Sequence, residues 1–222
     1  MEKMKKVEMK LLTRGAEAAV YLGDWFGEEA VFKFREPKQY RHPVLDSKIR
    51  RLRTLHEASF IAEARRLGVA TPLIYFVDQE RSEIVMQFLH GRRLKEIING
   101  DVGSGADAVE RWCREVGRYV ARLHLGRIIH GDLTTSNFIV VGDRLALIDF
   151  GLAFYSTRLE DRAVDLHLLD MVAESAHHRV AERVTGAVLE GYREVMGEAE
   201  AEKVLRQLKE VERRGRYKKQ VD

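Results

Sequence analysis

The sequence contains one cysteine, Cys113, in 222 residues, so an internal disulfide is excluded. Cys113 sits in a helical pattern, where a buried and inert thiol is expected. No apolar run approaches the roughly 20 residues that span a bilayer. Met1 to Lys10 alternates charged and apolar residues and lacks the apolar stretch of a secretion signal. These absences point to a soluble, cytoplasmic chain with no membrane partner. No internal repeat and no low-complexity segment is present, which excludes a repeat array. Charge of neither sign dominates, because the net value is only +3. It is unevenly placed, however: Arg213, Arg214, Arg216, Lys218 and Lys219 cluster near the C-terminus and leave the rest at −2. A basic tail on a near-neutral body suggests an acidic partner such as RNA, or else a solvated segment that aids solubility.

What is present is an ordinary globular composition, 45% hydrophobic, enough for a buried core in one domain or two closely packed lobes. Val7 to Leu12, Ala18 to Gly23 and Ala30 to Arg35 read as strands, and Pro37 and Pro43 bracket a loop. From Asp46 to Leu67 the apolar positions Ile49, Leu52, Leu55, Ala58, Phe60, Ile61 and Ala64 fit a helical period, with Gly68 behind them. Strands at Leu73 to Asp78 and Glu83 to Phe88 follow. Beyond Gly91 the pattern is mostly helical: Ala106 to Leu125, Glu160 to Ala176, Val180 to Met196 and Ala199 to Arg213. Short strands interrupt it at Phe138 to Val141 and Leu145 to Ile148. The expected class is α+β. It comprises a strand-rich N-lobe with one long helix over residues 1–88, a hinge at 89–91, a helical C-lobe over 92–212 and a basic tail over 213–222. The lobe junction is where a ligand cleft is expected.

Chemistry concentrates in His130-Gly131-Asp132-Leu133-Thr134-Thr135-Ser136-Asn137, followed twelve residues later by Asp149-Phe150-Gly151. In that order the two segments read as the catalytic loop and metal-binding motif of a kinase fold. Phosphoryl transfer needs cations to offset phosphate charge and an acceptor held in line. Oxygen ligands suit Mg2+, or Mn2+ in its place, so Asn137 and Asp149 are the candidate metal ligands. Asp132 is the candidate that orients or deprotonates the attacking hydroxyl or water. Lys33 lies in the apolar strand segment Val31-Phe32-Lys33-Phe34, where a charge needs a partner or a function. It is the candidate for the α- and β-phosphates of ATP. Glu57 and Glu63 both qualify as its partner, and spacing alone does not choose. A phosphate-covering turn is expected at Gly15-Ala16-Glu17, although with a single glycine. Adenine is expected against Gln87-Phe88-Leu89, with Met86 lining the back.

With Gly15-Ala16-Glu17-Ala18, Lys38-Gln39-Tyr40-Arg41-His42-Pro43, His56-Glu57-Ala58, His130 to Asn137, Ile148 to Leu152, Glu160 to Leu166 and Arg214-Gly215-Arg216, the chain resembles the small atypical kinase subunit of the KEOPS tRNA-modification complex. The matching segments span nearly the whole sequence. The resemblance selects Glu57 over Glu63. It implies a minimal bilobal kinase with ATP hydrolysis, weak serine/threonine kinase activity and autophosphorylation, supporting threonylcarbamoyladenosine formation on tRNA. It implies a threonylcarbamoyl-transferase subunit bound through the C-lobe, a small regulatory subunit on the N-lobe, and tRNA approached by Arg213, Arg214, Arg216, Lys218 and Lys219. It also makes Asp165 the buried aspartate that braces the catalytic loop.

Gly131 stands where signalling kinases carry an arginine that reads a phosphorylated activation loop, which argues against that switch. Thr134 replaces a catalytic-loop lysine, and no Ala-Pro-Glu segment follows Gly151, so efficient transfer to docked peptides is not expected. Tyr217 and Lys218 interrupt a uniformly basic ending, and no arginine follows Glu57-Ala58. RIO-type kinases and aminoglycoside phosphotransferases share Asp-x-x-x-x-Asn, and a nucleotide-binding scaffold with little turnover is a third reading. The Thr134-Thr135-Ser136 insert and the arginine tail argue against the first two, and the intact Lys33, Asp132, Asn137 and Asp149 against the third.

Overall fold

Alternation of apolar and polar residues in the first ninety positions produces one antiparallel five-stranded sheet. In the computed structural model, which describes residues 9–100 and 106–218, its strands are β1 (Lys10–Arg14), β2 (Ala19–Trp25), β3 (Glu28–Phe34), β4 (Ile74–Asp78) and β5 (Glu83–Gln87). Their order is β1-β2-β3-β5-β4. Phe26 and Gly27, at φ 54° and 91°, join β2 to β3, the two positive values that a tight hairpin between twisted strands requires. One sheet face buries Ala30, Phe32 and Val85, with Tyr21, Trp25 and Phe34 packed against them. The predicted first strand begins at Val7, which lies outside the described residues.

Helix α1 (Pro43–Arg66) runs 24 residues, and its buried face follows the apolar period in its C-terminal half but also takes in polar residues that the period passes over. Asp46, Thr54, Glu57, Phe60, Ile61 and Ala64 are buried, whereas Leu52 is 44% exposed. The expectation that Leu52 points inward is therefore corrected. The buried carboxylates of α1 have their own cations: Asp46 pairs with Arg50 of the same helix and Arg41 before it, and Glu57 with Lys33 and Arg35 from the sheet side.

The chain divides into two units: residues up to Ala62 with Pro72–His90, and Glu63–Thr71 with Gly91 onward. The first holds the sheet and most of α1. The second holds α2 (Leu94–Gly100), α3 (Ala106–Leu125), α4 (Leu159–Ala176), α5 (Ala181–Met196) and α6 (Glu198–Lys218). A sheet-rich unit and a helical unit are the expected α+β partition. Short strands β6 (Arg92–Arg93), β7 (Ile128–Ile129), β8 (Phe138–Val141), β9 (Arg144–Leu147) and β10 (Phe154–Tyr155) form a three-stranded β6-β8-β9 sheet and a β10-β7 pair. The helix α2 and strands β6, β7 and β10 escape sequence reading because two to seven residues carry too little period. No helix among the described residues is long and apolar enough to cross a membrane.

The helical unit is anchored where α3 meets α5. A Cβ on Gly117 would fall 1.9 Å from Val188 O, and one on Gly191 would fall 1.9 Å from Arg114 O. The two backbones therefore touch. Ion pairs Arg114–Glu190 at 2.5 Å, Arg118–Glu194 at 2.7 Å and Arg183–Glu110 at 2.7 Å line the same seam. Cys113, on α3, is buried, and burial, then the Glu110 charge, pushes its thiol up to about 12. A glycine in a helix normally costs about 1 kcal/mol relative to alanine. Here Gly191→Ala is expected to lower stability by about 1–3 kcal/mol through overpacking. Urea denaturation checks this, and a stabilised variant would refute the close approach.

Candidate active site

Lys33 lies on β3 and Arg35 directly follows its last residue, so alternation carried one residue past the strand puts both on one side, opposite Phe32 and Phe34. Between them stands Glu57 of α1. Lys33 Nζ donates to Glu57 Oε1 at 2.6 Å, and Arg35 Nη2 donates to Oε2 at 2.6 Å. Glu57 and Arg35 are buried at 1% and 4% exposure, and Lys33 at 9%. Each carboxylate oxygen thus has its own cation, the arrangement that a buried charge needs. Glu63 is elsewhere, paired with Arg66 at 2.8 Å.

The network continues to the turn between β1 and β2. Arg35 Nη1 lies 3.7 Å from Glu17 Oε2, which also pairs with Arg53 of α1. The Arg53 hydrogen bond, against some burial, holds the Glu17 carboxyl below its usual range. Gly15 N donates to Ala18 O at 2.9 Å, closing the turn over Gly15, Ala16 and Glu17, all exposed. Met86 is buried on β5, and Gln87 ends that strand. The Gln87 N–H is committed to Leu73 O at 2.8 Å. Half-buried Phe88 and Leu89 follow, with the Phe88 ring edge-on to His90 at 4.8 Å.

In the helical unit the catalytic-loop candidate is fixed from three directions. Asn137 Nδ2 donates to Asp132 O at 2.9 Å and to Asp132 Oδ2 at 3.1 Å. With the amide nitrogen so engaged, Asn137 presents Oδ1 at its other end. Ile148 N donates to Asn137 O at 2.9 Å, which ties the loop to the residue before Asp149. Asp149 is exposed and holds φ at 63°, a left-handed conformation uncommon outside glycine. The Gly151 N–H caps its Oδ1 at 3.2 Å. Phe150 is buried, its ring 5.0 Å from that of His130.

The second direction is Asp165, fully buried on α4. Its carboxylate accepts the His130 N–H and the Gly131 N–H, each at 2.9 Å. Its Oδ2 also lies 3.3 Å from His124 Nε2. Tyr192 of α5 completes the chain, its hydroxyl 3.0 Å from His124 Nδ1. With the phenol donating to Nδ1, His124 carries its proton on Nε2 and donates it to Asp165. Burial pushes the Asp165 carboxyl up, but the His124 hydrogen bond and the nearby histidines outweigh it, so the group sits below its usual range. Burial also raises the Tyr192 phenol.

The third direction is His177. Its Nδ1 lies 2.6 Å from Asn99 Oδ1, and its Nε2 lies 2.9 Å from Thr135 Oγ1. An Asn99 carbonyl accepting from Nδ1 leaves Nε2 to accept from the Thr135 hydroxyl. Burial and then the Lys95 charge depress this histidine, consistent with a neutral ring. The Thr135 hydroxyl is therefore a structural bolt.

Gly131 is imposed by its backbone. Its φ is 77°, and a Cβ would lie 2.6 Å from Leu152 O, so no arginine fits there without moving the chain after Asp149. At the C-terminus, the residues read as the start of a tail are helical, because α6 continues to Lys218. Arg213 pairs with Glu210 at 2.7 Å, and Arg214 pairs with Glu160 of α4 at 3.0 Å. Arg216 and Lys218 belong to the α6 backbone, with side chains outside the described part, and Lys219 lies outside the described residues.

Sequence reasoning missed Arg35, His124, Tyr192, His177 and Asn99. Only Arg35 carries a local signal, its parity with Lys33 along the strand. The others meet their partners across 41 to 78 residues.

Comparison with known proteins gives the family. A protein kinase domain model matches residues 8–179. The chain is 39% identical over 216 residues to KEOPS complex subunit Bud32 of Pyrococcus abyssi, covering 95% of this chain and 97% of that protein. It is 43% identical over 209 residues to a probable bifunctional tRNA threonylcarbamoyladenosine biosynthesis protein of Methanosarcina mazei, and 38% identical over 212 to one of Methanobrevibacter smithii. It spans only 36% and 37% of those two longer proteins. By the matched kinase domain and by near end-to-end similarity to the Pyrococcus subunit, the chain belongs to the protein kinase domain family and, within it, to the Bud32 family of KEOPS subunits.

Proposed function

We propose that the chain is an ATP-dependent phosphotransferase and ATPase with weak serine/threonine kinase and autophosphorylation activity. It would support threonylcarbamoyladenosine formation on tRNA within a KEOPS assembly. The observation that carries the reading is the Asp132–Asn137 hydrogen-bonded pair, tied through Ile148 to the neighbour of Asp149. With the Asn137 amide on Oδ2, Asp132 Oδ1 is the atom that would orient the attacking water or hydroxyl and accept its proton. Lys33, its position set by Glu57, would bind the α- and β-phosphates. Gly15, Ala16 and Glu17 would cover them. Adenine would lie beside Met86 and hydrogen-bond to the backbone of Phe88 and Leu89, since the Gln87 N–H is already committed to Leu73.

Asn137 Oδ1 and the Asp149 carboxylate are hard oxygen donors, the set that Mg2+ or Mn2+ favours. Such an ion, when bound, offsets phosphate charge during transfer. Asp165 would hold the loop carrying Asp132 at a fixed height through its two backbone hydrogen bonds. The relatives' names support a KEOPS role. The proposed partners are the threonylcarbamoyl-transferase subunit on the C-lobe, a small regulatory subunit on the N-lobe, and tRNA.

Asp149→Ala is expected to reduce magnesium-dependent turnover by on the order of a thousandfold, while the fold survives because the side chain is exposed. The check uses γ-labelled ATP and counts released phosphate and labelled protein, with and without the transferase subunit and tRNA. Wild-type turnover in the variant would overturn the site assignment.

Asp165 provides a pH test. Its folded-state pKa is depressed, so its contribution is complete above the unfolded value of about 3.9. It is lost as pH falls through the folded value. Asp165→Asn should cost roughly 2–4 kcal/mol at pH 7, because charged hydrogen bonds disappear and N–H groups go unmatched. The gap to wild type should close as the pH drops below about 4. Denaturant titrations at pH 7 and pH 3 decide it: a pH-independent gap would show that the ionised carboxylate is not the brace.

Charge reversal at Arg214 and Arg216 is expected to weaken tRNA association. It should also make the salt dependence shallower, by roughly 0.7–0.9 in log–log slope for each phosphate no longer neutralised. An unchanged salt titration would return the segment to a solvated helix end.

A further inference from the structure

The turn between β1 and β2 carries an acid in a segment read as a cover for phosphates. It has a single glycine, Gly15, and Glu17 is exposed like the rest of the turn. A carboxylate facing bound phosphates would repel them. The structure turns it elsewhere. Glu17 Oε2 accepts from Nη1 of Arg53 on α1, and Arg35 Nη1 lies 3.7 Å from the same oxygen. The entry to the turn is tied separately. Arg14, the last residue of β1, donates from Nη2 to Glu36 Oε1 at 2.9 Å and to the Tyr21 hydroxyl at 3.4 Å.

We infer that Arg53 is a positioning residue of the phosphate site: acting through Glu17, it answers the carboxylate's charge and draws it towards α1, so that a turn containing an acid can cover phosphates. This rests on the reading of Gly15, Ala16 and Glu17 as the phosphate-covering turn. Arg35 serves Glu17 less directly. Its Nη2 is committed to Glu57 at 2.6 Å, and 3.7 Å from Nη1 to Glu17 is beyond a hydrogen bond. Arg53 makes the hydrogen bond, and that bond is the largest influence holding the Glu17 carboxyl below its usual range. Glu17 is therefore charged at neutral pH, and its neighbours decide where the charge points. The pair is part-exposed, and such pairs contribute little to stability. Its effect falls on the field at the turn instead. Arg14, Glu17, Arg35, Glu36 and Arg53 all belong to the sheet unit, so the arrangement is complete within it.

The test reads preference for phosphate rather than activity. Calorimetry would give Kd for magnesium-ADP and for adenosine on the full chain. The proteins are wild type, Lys33→Met, Arg53→Met, Arg53→Lys, Glu17→Gln and the double variant Arg53→Met with Glu17→Gln. Arg53→Met is expected to weaken ADP binding by about tenfold, with adenosine binding nearly unchanged. Arg53→Lys keeps the charge and should hold ADP within about threefold of wild type. Adding Glu17→Gln to Arg53→Met should recover most of the lost ADP affinity, because the charge that needed an answer is gone. A double variant as weak as Arg53→Met would show that the Glu17 charge is not what Arg53 controls, and overturns the inference. So does equal loss of ADP and adenosine binding in Arg53→Met, which would mean a purely structural role. If Lys33→Met loses the preference for ADP while Arg53→Met keeps it in full, the inference fails and the function reading stands. A wild type that does not prefer ADP, or a Lys33→Met that still does, sinks the phosphate-site reading and the inference with it. Should Arg53→Met not fold, Arg53→Gln takes its place in every arm.

Discussion

A carboxylate with almost no water around it dictates the build of the sheet unit. Glu57 is 1% exposed, and in such a place an ionised group survives only if every lone pair is answered. Its two oxygens are answered by Lys33 of β3 and by Arg35 directly after it, which fixes the rotation of α1 against β3. Once that rotation is set, the rest of the helix has little freedom. Asp46, eleven residues or about three turns earlier, falls on the same side. It is met by Arg50 at 2.7 Å and Arg41 at 3.6 Å. The fully buried apolar residues of α1 are Phe60, Ile61 and Ala64 in its C-terminal half, while Ile49, Leu55 and Ala58 are half-buried. Ionic geometry, which tolerates little displacement, replaces a greasy stripe that would tolerate sliding.

The helical unit solves a parallel problem with a second buried carboxylate. Asp165 answers backbone N–H groups rather than side-chain cations, so what it fixes is the path of the chain at His130 and Gly131. His124 and Tyr192 carry that anchorage into α3 and α5. Those helices are locked together where Gly117 and Gly191 bring backbone against backbone. The Asp132–Asn137 pair is therefore supported at one remove by the close backbone packing of α3 on α5, and from the other flank by Thr135, His177 and Asn99.

The candidate site residues stand out in the sequence before the architecture does. Lys33, Asp132, Asn137 and Asp149 stand out because a charge in an apolar strand, or an Asp-x-x-x-x-Asn before Asp-Phe-Gly, is an improbable local pattern. Helix α3 and strand β8 fall where the pattern puts them, to the residue, because apolar period and flanking glycines agree there. Helix α1 is also legible, but with Leu52 pointed inward, since a periodicity argument ranks leucine above glutamate and cannot see the two cations that reverse the ranking. The basic cluster reads as a tail beyond the last helix because charge clustering resembles a solvated end. In the fold, Glu160 and Glu210 supply partners that let the same arginines continue α6. His124, Tyr192, His177 and Asn99 leave no local trace at all. Each becomes meaningful only when folding brings together residues far apart in the chain.

The two buried carboxylates bear on control as well as on form. In a kinase that is switched by phosphorylation, an arginine beside the catalytic aspartate reads the modified segment. Here that position is Gly131, where the backbone is left-handed and a side chain would collide with Leu152 O. Its N–H is spent on Asp165. On the sheet side, the Lys33–Glu57 contact that other kinases make and break is backed by Arg35, so α1 has a reason to stay engaged in the absence of any signal. A loop without a phosphate-reading arginine and a helix held by a second cation leave the two switching devices of signalling kinases without their moving parts.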